Sequence, residues 1–429
     1  MDTIFALSSG ALPSGVAIIR LSGTHARQTL ESLTGKRFES RKARLSSLVD
    51  DRGQVLDEAL CLYFEAPHSF TGEDVVELQC HGGRATVDAL LSYLGSVSHH
   101  RMAEAGEFSR RAFLNNRMDL TAMEGLSDLI AAQTESQRRL ALSQTGGVLR
   151  AQYDAWRDVL IKSRALIEAE FDFSDEDDIP DEVSATIWAG VEGLKREIYA
   201  HLNEGKRGEI IRDGFKVVLM GPPNAGKSSL LNALAKRDVA IVTEIPGTTR
   251  DVLEVSLDME GQLVIVSDTA GIRDTNDVVE LEGIKRAHAK ADEADLVIYL
   301  MPPDEEAAAN VPKGAIVVRS KSDLPSVGVE TNKVSVVEAD GLDFVFGEIK
   351  RAVSNLPRSE DTATMSRHRH RQELTVCCAA LGEALEVGLP LELRSEALRQ
   401  AGDALGRLTG RIDVEHLLDV IFSEFCVGK

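Results

Sequence analysis

Cysteine is scarce in this 429-residue chain: Cys61, Cys80, Cys377, Cys378 and Cys426 make five, an odd number with no CxxC spacing. That pattern excludes a disulfide framework and a cysteine-rich zinc site, and it points to a reducing cytoplasm. Positive charge is also in deficit, with 48 Lys plus Arg against 69 Asp plus Glu, a net charge of −21. A chain so acidic does not coat nucleic acid by broad electrostatics; any such contact must come from local patches or a partner. No apolar run reaches the roughly 18 residues that a membrane-spanning helix needs. The start, Met1-Asp2-Thr3-Ile4-Phe5, puts no basic leader before an apolar stretch, so no secretion signal is expected. What is present is an ordinary globular mix, 43% apolar and 27% charged, long enough for two to four domains.

Residues 1 to about 117 read as α+β, with β-branched runs such as Val16-Ala17-Ile18-Ile19 and Val75-Val76-Glu77-Leu78 between turn residues. From Leu120 the period changes. Leu120, Met123, Leu126, Leu129 and Ile130 follow helical spacing, and helical pattern continues with breaks to about Arg212. The acidic stretch Asp172–Asp178 before Pro180 reads as a solvated loop rather than a metal site. Residues 214 to about 357 alternate strand and helix. Strands are expected at Phe215–Met220, Val252–Leu257, Leu263–Val266, Leu296–Leu300, Ala315–Arg319 and Lys333–Val337, in a mostly parallel, doubly wound sheet. Residues 358–429 are helical again, so the order argues for an α/β domain inserted into a helical domain made of two segments. The Cys377-Cys378 pair sits within helical pattern and reads as packing.

The chemistry concentrates in Gly221-Pro222-Pro223-Asn224-Ala225-Gly226-Lys227-Ser228, which fits GxxxxGK(S/T) between an apolar strand and a helix-opening Ser229-Leu230-Leu231. Glycines there let backbone N–H groups of Asn224, Ala225, Gly226 and their neighbours surround a β-phosphate at a helix N-terminus. Lys227 then reaches the β- and γ-phosphates, and the Ser228 hydroxyl ligates Mg²⁺. Downstream, Gly247-Thr248-Thr249-Arg250-Asp251 offers a threonine, Thr249, for Mg²⁺ and the γ-phosphate. Asp268-Thr269-Ala270-Gly271 places an acid for the Mg²⁺ water shell beside a flexible glycine. Ser320-Lys321-Ser322-Asp323 stands where an Asn-Lys-x-Asp guanine clamp is usual, and Asp323 accepts from guanine N1 and its 2-amino group. Order and spacing identify a GTPase. Two departures stand out: Ile272 replaces the common water-orienting glutamine, and Ser320 replaces the clamp asparagine.

With those motifs, Ser69-Phe70-Thr71-Gly72-Glu73-Asp74-Val75-Val76-Glu77-Leu78, Gly106-Glu107-Phe108-Ser109-Arg110-Arg111-Ala112-Phe113-Leu114-Asn115 and the terminal Phe425-Cys426-Val427-Gly428-Lys429, the chain resembles the MnmE (TrmE) family of bacterial tRNA-modification GTPases over its whole length. The resemblance implies an N-terminal folate-binding and dimerisation domain (1–118), a discontinuous helical domain (119–212 and 358–429) and an inserted Ras-like P-loop GTPase domain (213–357). It implies a homodimer that joins the flavin-dependent MnmG in a heterotetramer. Together they add an aminomethyl or carboxymethylaminomethyl group to C5 of the wobble uridine (position 34) of certain tRNAs. The one-carbon donor is a tetrahydrofolate derivative (5-formyl- or 5,10-methylene-tetrahydrofolate), and no membrane is involved.

By position, the resemblance assigns Asn224, Thr243, Ile245 and Thr248 to a K⁺ site that balances charge developing between the phosphates. Glu280 falls on the family's catalytic acid; by charge pattern alone it reads as a solvated helix residue. Arg20, Glu77 and Arg117 match folate-contacting positions, with Arg117 where some members carry lysine. Glu77 suits the N–H edge of a pterin and the arginines suit an anionic glutamate tail. Lys429 is placed at the same site. Cys426 is either a functional thiol near the folate or a buried packing residue. With 5% aromatics, few stacking platforms exist for RNA, so basic patches and the partner carry much of that contact. Two other readings explain part of the chain: a ribosome-assembly or signalling GTPase switch, and a folate-dependent one-carbon transferase regulated by GTP.

Overall fold

The computed structural model describes residues 2–172, 181–237, 239–241, 254–268, 289–305, 311–325, 332–338, 341–356, 364–412, 418, 421 and 428. The chain divides into two compact units, Met1–Ser127 with Thr145–Asp158 and Gly402–Lys429, and Asp128–Gln144 with Val159–Ala401.

In the first unit, strands β1 (Thr3–Leu7), β2 (Ser14–Ser22), β3 (Arg44–Val49), β4 (Val55–Phe64), β5 (Val75–Gly82) and β6 (His100–Met102) form one sheet in the order β3-β4-β5-β2-β1-β6. All neighbours are antiparallel except β1 and β6. The period-2 alternation of strands decides the two faces. Ala17, Ile19 and Leu21 of β2 and Val76, Leu78 and Cys80 of β5 lie buried on one of them. They pack with Leu30 and Leu33 of α1 (Ala26–Thr34) and Val87, Leu90 and Leu94 of α2 (Arg84–Ser96). Each Val, Leu or Ile side chain among them removed from water contributes about 2 kcal/mol before entropy is counted. The other face carries Ile4 and Ala6, covered by Ala103 and by Phe108 of α3 (Glu107–Leu114), and beside them Arg20 and Glu77.

Asp119 starts the helical region. Its carboxylate accepts the N–H groups of Thr121 and Ala122 and the Thr121 hydroxyl, a cap worth about 1 kcal/mol for α4 (Leu120–Ala131). At α5 (Glu135–Thr145) the Gln137 side chain reaches back to the N–H groups of Gln133 and Thr134. Two long helices follow, α6 (Val148–Asp172) and α7 (Asp181–Asp213). The acidic run after Asp172 falls outside the described residues, apart from that helix end.

Strands β7 (Phe215–Met220), β8 (Glu254–Met259), β9 (Gln262–Asp268), β10 (Leu296–Met301) and β11 (Ile316–Arg319) build the second sheet in the order β11-β10-β7-β9-β8. β11, β10, β7 and β9 are parallel and β8 is an antiparallel edge. Central strands buried on both faces need near-continuous apolar sequence, and Leu296-Val297-Ile298-Tyr299-Leu300-Met301 supplies it. One face packs on α8 (Lys227–Leu234) and α9 (Asp343–Ser354) through Leu230, Leu231, Val345 and Ile349. The helices α10 (His368–Ala384) and α11 (Leu391–Thr409) complete the described elements. Cys377 is buried in α10, its thiol pushed up to about 12 by burial, which agrees with packing.

One expected strand is corrected. Lys333–Val337 makes only a single bridge, Lys333 to Arg319. The chain turns there instead, because the Ser335 hydroxyl accepts the N–H groups of Val337 and Glu338, a local competitor to ladder pairing.

Candidate functional site

In a doubly wound sheet, ligands bind outside the carboxyl ends of strands, where the strand order reverses. Here that point is the end of β7, with β9 on one side and β10 on the other. Gly221 leaves β7 with φ +140°, and a Cβ on it would lie 2.3 Å from the Leu300 carbonyl oxygen at the end of β10. Only glycine fits so close an approach. The loop continues through Asn224 at φ +62° and Gly226 at φ +92°, and then enters α8. Leu230 N–H donates to Gly226 O as the first helical bond. The N–H groups of Lys227, Ser228 and Ser229, one turn earlier, lack intrahelical acceptors and form a natural anion seat.

Lys227 is buried, and its ammonium donates to Gly221 O (2.8 Å) and Pro222 O (2.9 Å). Burial pushes its pKa down, while the Asp268 carboxylate pulls it back up. The lysine is thus held against the inside of its own loop. Asp268 ends β9, opposite Leu219 of β7, and is buried. Its Oδ2 accepts the Ser228 hydroxyl at 2.6 Å. A hydroxyl and a carboxylate at that separation are hard oxygen donors of the kind Mg²⁺ takes alongside water and phosphate oxygens. Among the described residues no group of three or more His, Cys, Asp or Glu gathers as a metal site.

The clamp segment follows β11 on the same sheet edge. Ser320 is buried, and both its N–H and its hydroxyl donate to Met301 O (2.9 and 3.3 Å). The serine in the asparagine position therefore ties β10 to β11. Lys321 adopts a left-handed backbone, φ +53°. Asp323 is exposed, and its Oδ1 accepts the hydroxyl of buried Ser335 at 2.7 Å. Sequence reading missed Ser335; its available signal was a small polar residue interrupting Val334, Val336 and Val337, which follow the clamp.

In the first unit, the register sets Arg20 of β2 opposite Glu77 of β5. Two guanidinium nitrogens of Arg20 donate to Glu77 Oε1 (2.8 and 3.1 Å), and the guanidinium lies 5.5 Å from the Phe70 ring and 5.8 Å from the Phe108 ring. Arg117 donates through Nε to Ser69 O at 3.2 Å. The blocks 69–78 and 106–115 meet here. Asn115 donates to Thr71 O (2.7 Å), Arg111 pairs with Glu73 (2.9 Å), and Ser22 joins Thr71 and Glu73 (2.7 and 2.8 Å). Gly428 O accepts the Ser8 hydroxyl at 2.7 Å, and its φ of +98° lets it lie against Leu7, where a Cβ would come within 2.2 Å of the Leu7 oxygen. Since Leu7 pairs with Ile19, the penultimate residue sits one rung from Arg20. Neither Ser8 nor the Glu73–Arg111 pair was marked by sequence.

Thr243, Ile245, Thr248, Thr249, Thr269, Ala270, Gly271, Ile272, Glu280, Cys426 and Lys429 lie outside the described residues.

Comparison with known proteins gives two family matches: the GTP-binding protein TrmE N-terminus over residues 3–117, and the MnmE helical domain over residues 120–426. The chain is 50% identical over 438 residues to the tRNA modification GTPase MnmE of Chelativorans sp. (strain BNC1), covering all of this chain and 98% of that protein. It is 51% identical over 438 residues to the protein of that name from Rhizobium meliloti, covering all of this chain and 99% of that one. With the Brucella ovis protein of the same name, identity is 49% over 435 residues, covering all of this chain and 98% of the relative.

Proposed function

The chain belongs to the MnmE family of tRNA modification GTPases, and from that premise we propose that its GTP hydrolysis serves wobble-uridine modification. In this reading the chain works as a homodimer with flavin-dependent MnmG in a heterotetramer. It adds an aminomethyl or carboxymethylaminomethyl group at C5 of uridine 34 in certain tRNAs, with a tetrahydrofolate one-carbon donor, in the cytoplasm. The division of labour follows 1–118 for folate and dimerisation, 119–212 with 358–429 as scaffold, and 213–357 for GTP.

One observation carries the GTPase half: a phosphate-binding loop at the strand-order reversal, with Lys227 turned onto the loop carbonyls and Ser228 on Asp268. Lys227 exchanges its carbonyl contacts for the β- and γ-phosphate oxygens, and the N–H groups at the start of α8 hold the same charge. Asp323 reads guanine. Glu280 accepts a hydrogen bond from the attacking water and aims it at the γ-phosphorus. The new P–O bond forms as the bond to the β–γ bridging oxygen breaks, and GDP leaves. Ser228, Thr249 and, through water, Asp268 would hold Mg²⁺, which neutralises phosphate charge. Asn224, Thr243, Ile245 and Thr248 offer oxygens for K⁺; the Asn224 side chain is exposed on the loop, and its amide oxygen is a hard donor. That ion supplies positive charge where an arginine finger would.

For folate, Arg20 and Glu77 offer their side chains on the sheet face beside Phe70, and Arg117 lies by Ser69; family likeness adds Lys429 and Cys426 to that site. Exposed Leu45 and Leu60, register partners at the open end of the same face, support pairing of two copies. Among the described residues no helix is long and apolar enough to cross a membrane.

The test has two parts. GTP turnover should fall steeply when K⁺ is replaced by Na⁺, and Glu280→Ala should keep nucleotide binding while losing hydrolysis by about a hundredfold or more. Wobble nucleosides from cells lacking the chain, read by mass spectrometry, should lose the C5 modification. An unchanged nucleoside profile contradicts the proposed role.

A further inference from the structure

Several half-buried arginines among the described residues hold a carboxylate: Arg20 with Glu77, Arg111 with Glu73, Arg212 with Asp128 and Arg371 with Glu209. Arg207 of α7 is half-buried too, yet no carboxylate pairs with it among the described residues. Burial pushes its pKa down, and no acid offsets that effect. A guanidinium withdrawn from water without a counter-charge is unfavourable, and the usual remedy is an anion.

Arg207 lines a cavity of about 340 Å³ within the second unit, together with Arg139, Ser136, Gln262 and Glu260. Arg139 is only partly neutralised, because it shares Glu135 with Arg138. The acid in the lining, Glu260, is taken by Lys350 at 2.6 Å. Ser136 Oγ accepts the Gln262 amide at 2.6 Å, which leaves its own O–H free to donate into the space. The cavity is therefore a cationic, donor-rich recess in a chain of net charge −21.

We propose that this cavity binds a phosphoryl group, with Arg207 and Arg139 clasping its oxygens. Guanidinium forks match phosphate oxygens two at a time, and two forks plus a hydroxyl suit a tetrahedral anion better than a planar carboxylate. The site is separate from the phosphate loop of β7. It abuts the turn between β8 and β9, which α5 holds through Ser136 N–H to Gly261 O at 3.0 Å. Two sources share this chemistry, a small phosphorylated solute and the phosphodiester backbone of tRNA. Only the second rests on the function proposed above.

The test uses the full chain loaded with GDP, so that the phosphate loop is filled. Arginines are modified with phenylglyoxal, and the Arg207 and Arg138 peptides are quantified by mass spectrometry with added inorganic phosphate, tRNA or acetate. Phosphate should slow modification of Arg207 about tenfold, saturably, while Arg138 is unaffected. Arg207→Gln should retain GTP turnover, which shows that it folds. Protection by phosphate alone assigns a small solute. Protection by phosphate and by tRNA, with tRNA affinity reduced several-fold in Arg207→Gln, assigns the RNA backbone. No protection by phosphate, protection by tRNA only, or equal protection by acetate overturns the proposal.

Discussion

Replacing Ser335 by alanine tests how the base end of the nucleotide site is built. The hydroxyl makes three hydrogen bonds: it donates to Asp323 Oδ1 (2.7 Å) and accepts from Val337 N–H (3.1 Å) and Glu338 N–H (3.4 Å). Val337 and Glu338 are exposed, so water replaces those two acceptor contacts at little cost. The bond to Asp323 decides the outcome. A hydrogen bond to a buried charge is worth about 1.5–3 kcal/mol, but Asp323 is exposed and its carboxylate stays hydrated, which brings the figure to about 1 kcal/mol. Ser335→Ala should therefore weaken GTP binding about fivefold. Asp323→Ala, which removes the base contact itself, should weaken it about a hundredfold and erode selectivity against ATP. Displacement of a fluorescent guanine nucleotide by GTP and by ATP measures both. If Ser335→Ala binds GTP as tightly as the parent while Asp323→Ala is impaired, Asp323 is positioned by something other than this serine and the reasoning fails.

Two further outcomes follow from the geometry. Gly221→Ala adds a Cβ 2.3 Å from Leu300 O at a backbone φ of +140°; strain and overlap together should cost about 2–4 kcal/mol and nearly abolish nucleotide binding, seen by thermal denaturation and nucleotide titration. Unchanged Tm and affinity would contradict the pinch between β7 and β10. His201, buried on α7, has its pKa pushed down to about 4, first by burial and then by His370. The unfolded chain then binds the extra proton between about pH 6.5 and 4, so this contribution is full above pH 6.5 and lost as pH falls through 4, by up to about 3 kcal/mol. Urea denaturation at pH 7.5 and 5 should show that slope, and His201→Gln should flatten it; an equal slope in the variant refutes the assignment.

Much of the nucleotide site was legible because its parts are local. The apolar run Phe215–Met220 became β7 with those bounds, and the glycine spacing and Lys227 became the loop and helix start. What was not legible came from register and from side-chain competition. Nothing local in Arg20 or Glu77, 57 residues apart, announces that antiparallel pairing makes them opposite neighbours. The run Lys333–Val337 has strand composition, yet Ser335 diverts its backbone to hold Asp323. Ser320 shows the same limit from the other side: its departure from asparagine was visible, but its tie to the Met301 carbonyl needed the parallel pairing of β10 and β11.

The most direct measurement is GTP hydrolysis by the full chain in potassium and magnesium, parent against Lys227→Ala, with folding of both verified by circular dichroism. With Lys227 as the cation that the loop holds for the phosphates, the variant should lose about a hundredfold or more of turnover. Hydrolysis at the parental rate in the folded variant would mean that the chemistry happens elsewhere in the chain.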